Sequence, residues 1–175
     1  MKAGIICAQG LEECEALMTY DLLYRAGIET LLIGTEKEIT SSHNVTFRTH
    51  ILIEDFNAED FDCIILPGGM PGTKNLEADE RVQKIINDFV KEDKYVAAIC
   101  AAPSILDHKG LLREGKFVCY PGFEGDKKTA SGKACADGRF ITGKGVGATF
   151  EFAYKIIEAL AGKEKADETL ARTQY

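Results

Sequence analysis

Tyr95-Val96-Ala97-Ala98-Ile99-Cys100-Ala101-Ala102-Pro103-Ser104-Ile105-Leu106 is the stretch that decides the fold. The apolar run 95–99 reads as a buried β-strand that stops at Cys100, and small residues then turn the chain into a helix over 101–112. A strand that ends on a cysteine and re-enters a helix aims a thiol at the open end of a sheet. Backbone N–H groups at the helix start are expected to favour its thiolate. This is the geometry of a nucleophile elbow, built on cysteine rather than serine.

The same alternation runs along the chain on both sides. Residues 2–8 read as a buried strand, 11–26 as a helix closed by Gly27, and 28–34 as a second strand. The stretch 37–54 has no helical period and favours strand or hairpin. Phe61 to Leu66 is a core strand leading into the loop Pro67-Gly68-Gly69-Met70-Pro71-Gly72, and Asn75 to about Lys91 is one amphipathic helix. Strands at 116–119 and 139–142, a helix at 148–160 and a charged helix or tail at 163–172 complete the pattern. Strands separated by helices predict an α/β fold: a flavodoxin-like three-layer sandwich with a mostly parallel central sheet covered on both faces. With no linker or repeat, residues 1–175 read as one domain. Ligand sites in such sheets lie beyond the C-terminal strand ends, where Cys100, the 67–72 loop and the Ala8-Gln9-Gly10 turn all fall.

Composition narrows the function classes. A net charge of −7 lacks the basic footprint of a general nucleic-acid binder. No apolar run reaches the length of a membrane span, and Met1-Lys2 leads straight into a strand, so neither a membrane helix nor a signal peptide is expected. A cytoplasmic protein follows as the expectation. Its six cysteines form no C-x-x-C pair and are expected to stay reduced, those other than Cys100 mostly as small buried hydrophobes. His43, His50 and His108 show no ligand spacing, so no metal is expected.

At the strand ends, Gly10-Leu11-Glu12-Glu13-Cys14-Glu15 places three acids in the opening turns of a helix. Glu12 and Glu13 there complement the positive end of the helix dipole. Glu15 shares a stripe with Leu11, Met18 and Leu22, which points it toward the sheet, where burial would raise its pKa. The helix is apolar on more than one side, so the stripe leaves Glu15 open between a structural and a functional carboxyl. Gly68-Gly69 fits both a tight strand-to-helix turn and an oxyanion site made of backbone N–H groups. Gly143-Lys144-Gly145-Val146-Gly147 has the look of a dinucleotide fingerprint, but its spacing is wrong and it follows the last strand instead of the first.

Taken together, Gly10–Glu15, Asp21 through Arg25-Ala26-Gly27-Ile28, Leu66–Gly69, Ala97–Pro103 and Gly145–Ala153 resemble the ThiJ/PfpI superfamily in its own order. The chain looks most like the branch of the parkinsonism-associated deglycase. The resemblance implies that Cys100 is a reactive thiolate and Glu15 a protonated partner able to act as general acid/base. It also implies that Gly69 and Ala101 offer backbone N–H groups to the site, with Gly68, Tyr120 and His43 around the pocket. Arg25 and Asp21 match positions near the family's dimer interface, so a homodimer is implied. Two departures stand out. Tyr120 occupies the place where close relatives carry a histidine, and His43 sits in the hairpin where the family's pocket arginines are replaced. The peptidase branch carries histidine directly after its nucleophile, where this chain has Ala101. Class I amidotransferases need a G-x-C-x-G elbow and a downstream His-x-Glu, both missing. His108 lies about 12 Å along the helix axis from Cys100, too far to be its base.

The implied activity is cysteine-dependent chemistry on small aldehydes or glycated substrates, of cofactor-independent glyoxalase or deglycase type, and not peptidase. The alternative is an oxidative-stress sensor or redox-regulated chaperone using the same cysteine.

Overall fold

A computed structural model describes all 175 residues. Its strands are β1 (Lys2–Cys7), β2 (Glu29–Gly34), β3 (Glu38–Thr40), β4 (Thr46–Arg48), β5 (Ile51–Leu52), β6 (Cys63–Leu66), β7 (Tyr95–Ile99), β8 (Ala134–Asp137) and β9 (Phe140–Gly143). Its α-helices are α1 (Glu13–Arg25), α2 (Gly72–Ala78), α3 (Glu80–Lys91), α4 (Pro103–His108), α5 (Thr149–Ala161) and α6 (Lys163–Arg172). Seven strands form one sheet in the order β5-β2-β1-β6-β7-β9-β8, parallel except for the edge strand β8. β3 and β4 form a separate antiparallel hairpin. No helix is long and apolar enough to cross a membrane.

Successive side chains of a strand face opposite ways, so each central strand feeds two cores. Ile5, Cys7, Ile65, Ala97 and Ile99 point into one core with Ala16, Leu22 and Leu23 of α1 and Phe152, Ile156 and Ile157 of α5. Ile6, Ile64, Leu66, Val96 and Ala98 point into the other, with Val82, Ile86 and Phe89 of α3 and Ile105 and Leu106 of α4. Strands buried on both faces explain the continuous apolar runs of β6 and β7. The arrangement is the expected three-layer flavodoxin-like sandwich.

Four local expectations need correction. The helix expected from Asn75 to Lys91 is two helices, because Asp79 is extended (φ −81°, ψ 112°) and its side chain accepts the Arg81 N–H at 2.9 Å, capping α3. The helix expected over 101–112 is the short α4, begun by Pro103 and ended before Gly110 at φ 71°. Residues 116–119 are not a strand, because β8 occupies the edge beside β9. Phe117, Val118 and Cys119 are buried without a ladder, and the Val118 N–H donates to Thr142 Oγ1 at 2.9 Å. β8 itself was not anticipated, although Asp137-Gly138 before an apolar run is a hairpin signal. Among the cysteines, Cys7, Cys63 and Cys119 are buried as expected, whereas Cys14 is exposed and Cys135 half-exposed.

Candidate functional site

The turn after β7 holds Cys100 at φ 64°, a left-handed conformation that costs a side-chain-bearing residue roughly 1–3 kcal/mol. The main chain offsets this by fixing the residue from both sides. Cys100 N–H donates to Gly143 O at 2.9 Å, and Cys100 O accepts the Tyr120 N–H at 2.8 Å. The half-buried thiol therefore sits at the C-terminal ends of β7 and β9, where Ile99 pairs with Gly143.

Glu15 reaches the same place from α1. It is fully buried, the only charged residue that is, and its Oε2 accepts the Gly68 N–H at 2.9 Å. Its Oε1 is buried with no well-formed hydrogen bond, and the neighbouring group able to supply a proton is the Cys100 thiol. The cap of α1 positions it: Glu12 Oε2 accepts the Glu15 N–H at 2.7 Å, and Glu12 N–H donates to Gly68 O at 2.9 Å. Glu12 is thus a helix cap that fastens α1 to the glycine loop, beyond the dipole role expected of it.

Gly68 must be glycine for space. A Cβ there would stand 2.5 Å from Cys100 Cβ and 2.9 Å from Glu15 Oε2. Gly69 must be glycine for conformation as well, with φ 89° and the Glu12 nitrogen 2.4 Å from where its Cβ would be. The N–H groups of Gly69 and Ala101 both interact with the Cys100 sulfur.

The electrostatics reverse one expectation. Burial, then the charge and hydrogen bond of Glu15, push the Cys100 thiol up to about 12, against the pull of the Gly69 and Ala101 N–H groups. The expected helix-start acidification does not prevail, since α4 is shorter than two turns and opens on a proline without an N–H. Burial pushes Glu15 up to about 7, with the Gly68 N–H opposing and the Glu12 charge adding. Between those two values the pair holds one proton, on sulfur or on carboxyl. A carboxylate can therefore take the thiol proton at the moment the sulfur attacks.

The other anticipated residues are placed differently. Tyr120 follows the buried Cys119 and is 52% exposed, its ring beside Gly145 next to the sulfur. His43 lies in the turn between β3 and β4. Its Nδ1 is 3.0 Å from Glu13 Oε1 and 4.0 Å from Glu12 Oε1, and the Glu13 carboxylate raises its pKa. Its ion partners are these outer acids of α1, not the Cys100–Glu15 pair. Glu12, Glu13 and His43 each offer a ligand atom, all within 4.8 Å of one another, and are the residues that could hold a cation. Sequence spacing could not reveal that group, because the hairpin brings His43 back across thirty residues. His108 pairs with Glu77 of α2, at 2.6 Å. Gly145, whose neighbourhood to the sulfur depends on the pairing of β7 with β9, carried no sequence signal for that role.

Known proteins share the fold that carries this arrangement. The DJ-1/PfpI family model matches residues 1–159. The glutathione-independent glyoxalase DJR-1.2 of Caenorhabditis elegans is 34% identical over 166 residues, covering 91% of this chain and 88% of that protein. DJ-1 homolog B of Arabidopsis thaliana is 34% identical over 175 residues and 95% of this chain, but the chain spans 40% of that protein's length. The solved structure of oxidized DJ-1 from Toxoplasma gondii has a TM-score of 0.93 and 33% identity, covering 99% of this chain and 98% of that one.

Proposed function

The chain belongs to the DJ-1/PfpI family, and from that premise we propose that it is a cofactor-independent enzyme acting on small reactive carbonyls. The observation that carries the proposal is the buried Glu15 carboxyl against the Cys100 sulfur, with N–H donors from Gly69 and Ala101 beside it. A relative named as a glutathione-independent glyoxalase supports the same reading.

In this reading Glu15 takes the Sγ proton as Cys100 adds to the aldehyde carbon of a 2-oxoaldehyde. The oxyanion is held by the Gly69 and Ala101 N–H groups and then receives that proton, giving a hemithioacetal. Glu15 next removes the hydrogen of the former aldehyde carbon as a proton and returns a proton to the adjacent carbon. The first carbon is oxidised and the second reduced, leaving a thioester of a 2-hydroxy acid. Water cleaves it, restoring the thiol. Net, the dicarbonyl and one water become one hydroxy acid, and no external oxidant is needed. On an early glycation adduct the C–N bond of the carbinolamine breaks first, the amine leaving with the hydroxyl proton and freeing the aldehyde, and the same steps then amount to deglycation. The reading takes residues 1–175 as one domain, and a homodimer as the working state by analogy with the family.

Conversion of methylglyoxal to lactate is the test. Wild type turns over, while Cys100→Ser and Glu15→Gln lose at least a hundredfold. Undiminished turnover in Cys100→Ser sinks the proposal.

A second reading uses the same pair. The partnerless Glu15 Oε1 stands where a protonated carboxyl would hydrogen-bond a sulfinate. Two equivalents of hydrogen peroxide would then convert the thiol to sulfinic acid and two waters. Intact mass after mild peroxide distinguishes a selective gain of two oxygens at Cys100 from diffuse oxidation.

A further inference from the structure

Seven large apolar side chains are exposed on this protein, and two of them, Tyr120 and Val146, line one cleft together with Gly145, the neighbour of the Cys100 sulfur. The point where a Cβ on Gly145 would sit is 3.4 Å from Tyr120 Cδ2 and 3.9 Å from Cys100 Sγ, so ring and sulfur flank one small space. An open cleft of about 300 Å³ adjoins that space through Tyr120 and Gly145, lined further by Pro121 and Val146 and by the stems of Lys133 and Lys144.

The walls are held. Tyr120 is tied by its N–H to Cys100 O, and its ring meets the edge of Phe123 at 6.4 Å between centroids. Val146 O accepts from Thr149 Oγ1 at 2.8 Å, which fixes the first turn leading into α5. An aromatic face next to the sulfur's neighbour Gly145 and an aliphatic side chain in the same cleft, both open to solvent, gain most from being covered by a flat apolar group.

We infer that this cleft is the subsite for the substituent of the carbonyl substrate, and that it selects 2-oxoaldehydes bearing an aromatic or similarly flat apolar group over methylglyoxal. The inference rests on the carbonyl reading of Cys100 and adds the substrate class. With the aldehyde carbon on Sγ, the substituent lies past Gly145 against the Tyr120 ring. Such contact is made in the ground and transition states alike, so it lowers KM and leaves kcat nearly unchanged.

The test compares phenylglyoxal with methylglyoxal in wild type, Tyr120→Ala, Tyr120→Phe and Val146→Ser. The expected preference for phenylglyoxal in kcat/KM is about tenfold or more in wild type and Tyr120→Phe, carried by KM. In Tyr120→Ala it falls by about tenfold, and in Val146→Ser by a smaller factor. A ratio that does not move in Tyr120→Ala overturns the inference, whatever its wild-type value. A parallel readout needs no turnover: alkylation of Cys100 by phenacyl bromide against bromoacetone, followed by intact mass. If neither aldehyde is converted, the carbonyl enzyme reading fails, yet a Tyr120-dependent preference for phenacyl bromide still supports the cleft. Its absence there refutes the cleft independently.

Discussion

The Gly68 amide and the Glu15 carboxylate, 53 residues apart in the chain, meet at 2.9 Å in the protein interior. That bond ties the loop after β6 to the helix after β1 and fixes the carboxyl against the sulfur. It also stabilises the ionised carboxylate against a burial cost that would otherwise drive the pKa higher still.

The first prediction concerns pH and Cys100 reactivity. The rate of alkylation of wild-type Cys100 should carry an inflection near pH 7, where the pair loses the first of its two protons and the remaining one becomes shared. Glu15→Gln should lose that inflection and show a single titration below the wild-type thiol value of about 12, since the repelling charge is gone. Persistence of the lower inflection in Glu15→Gln would assign it to another group.

Stability follows from the same carboxyl. Its pKa rises from roughly 4.3 in an unfolded chain to about 7 in the folded one, so the folded state binds the proton more tightly. The contribution is complete below about pH 4 and is lost as pH rises through about 7, by at most on the order of 3 kcal/mol. Glu15→Gln should flatten this part of the curve and stand closer to, or above, wild type at pH 8. Urea midpoints across pH 4–8 measure it, and parallel curves for the two proteins would contradict it.

Cys100→Gly should separate stability from reactivity. Glycine adopts φ 64° without the side-chain penalty, so this variant should exceed Cys100→Ser in unfolding free energy by about 1 kcal/mol. Both should lack carbonyl turnover. Equal denaturant midpoints would mean that the turn stores no strain.

Gly68→Ala is the steric probe. A methyl 2.5 Å from Cys100 Cβ must displace the elbow or the Glu15 carboxyl. A loss of about 1–3 kcal/mol is expected, with a fall in turnover larger than stability alone explains at temperatures where the variant is folded. Wild-type kinetics in a folded Gly68→Ala would show that the crowding is relieved harmlessly.

Much of this fold was legible because its signals are local. The apolar runs at Ile64–Leu66 and Val96–Ile99 and the amphipathic period around Val82, Ile86 and Phe89 each depend on neighbours in sequence. Cys100 at a strand end and Gly68-Gly69 in a loop belong to the same kind of signal. Relationships set by strand pairing were not legible. Phe117-Val118-Cys119 is as apolar as a strand, yet whether it joins the sheet depends on who else claims the edge of β9. The position of Gly145 against the sulfur, and of His43 against Glu13, arises from contacts between distant segments. The direction of the Cys100 titration also escaped, because it depends on whether N–H donors outweigh burial and one nearby carboxylate.

Cys100 gives its own N–H to Gly143 and its own carbonyl to Tyr120, so the two segments that line the cleft hang from the peptide units of the residue that carries the sulfur. Sulfur and walls therefore keep a common register. Grafting a different 117–123 segment or a different 143–147 turn would shift the Cys100 sulfur along with the lining. In this scaffold, selectivity and intrinsic reactivity are expected to evolve as one linked trait.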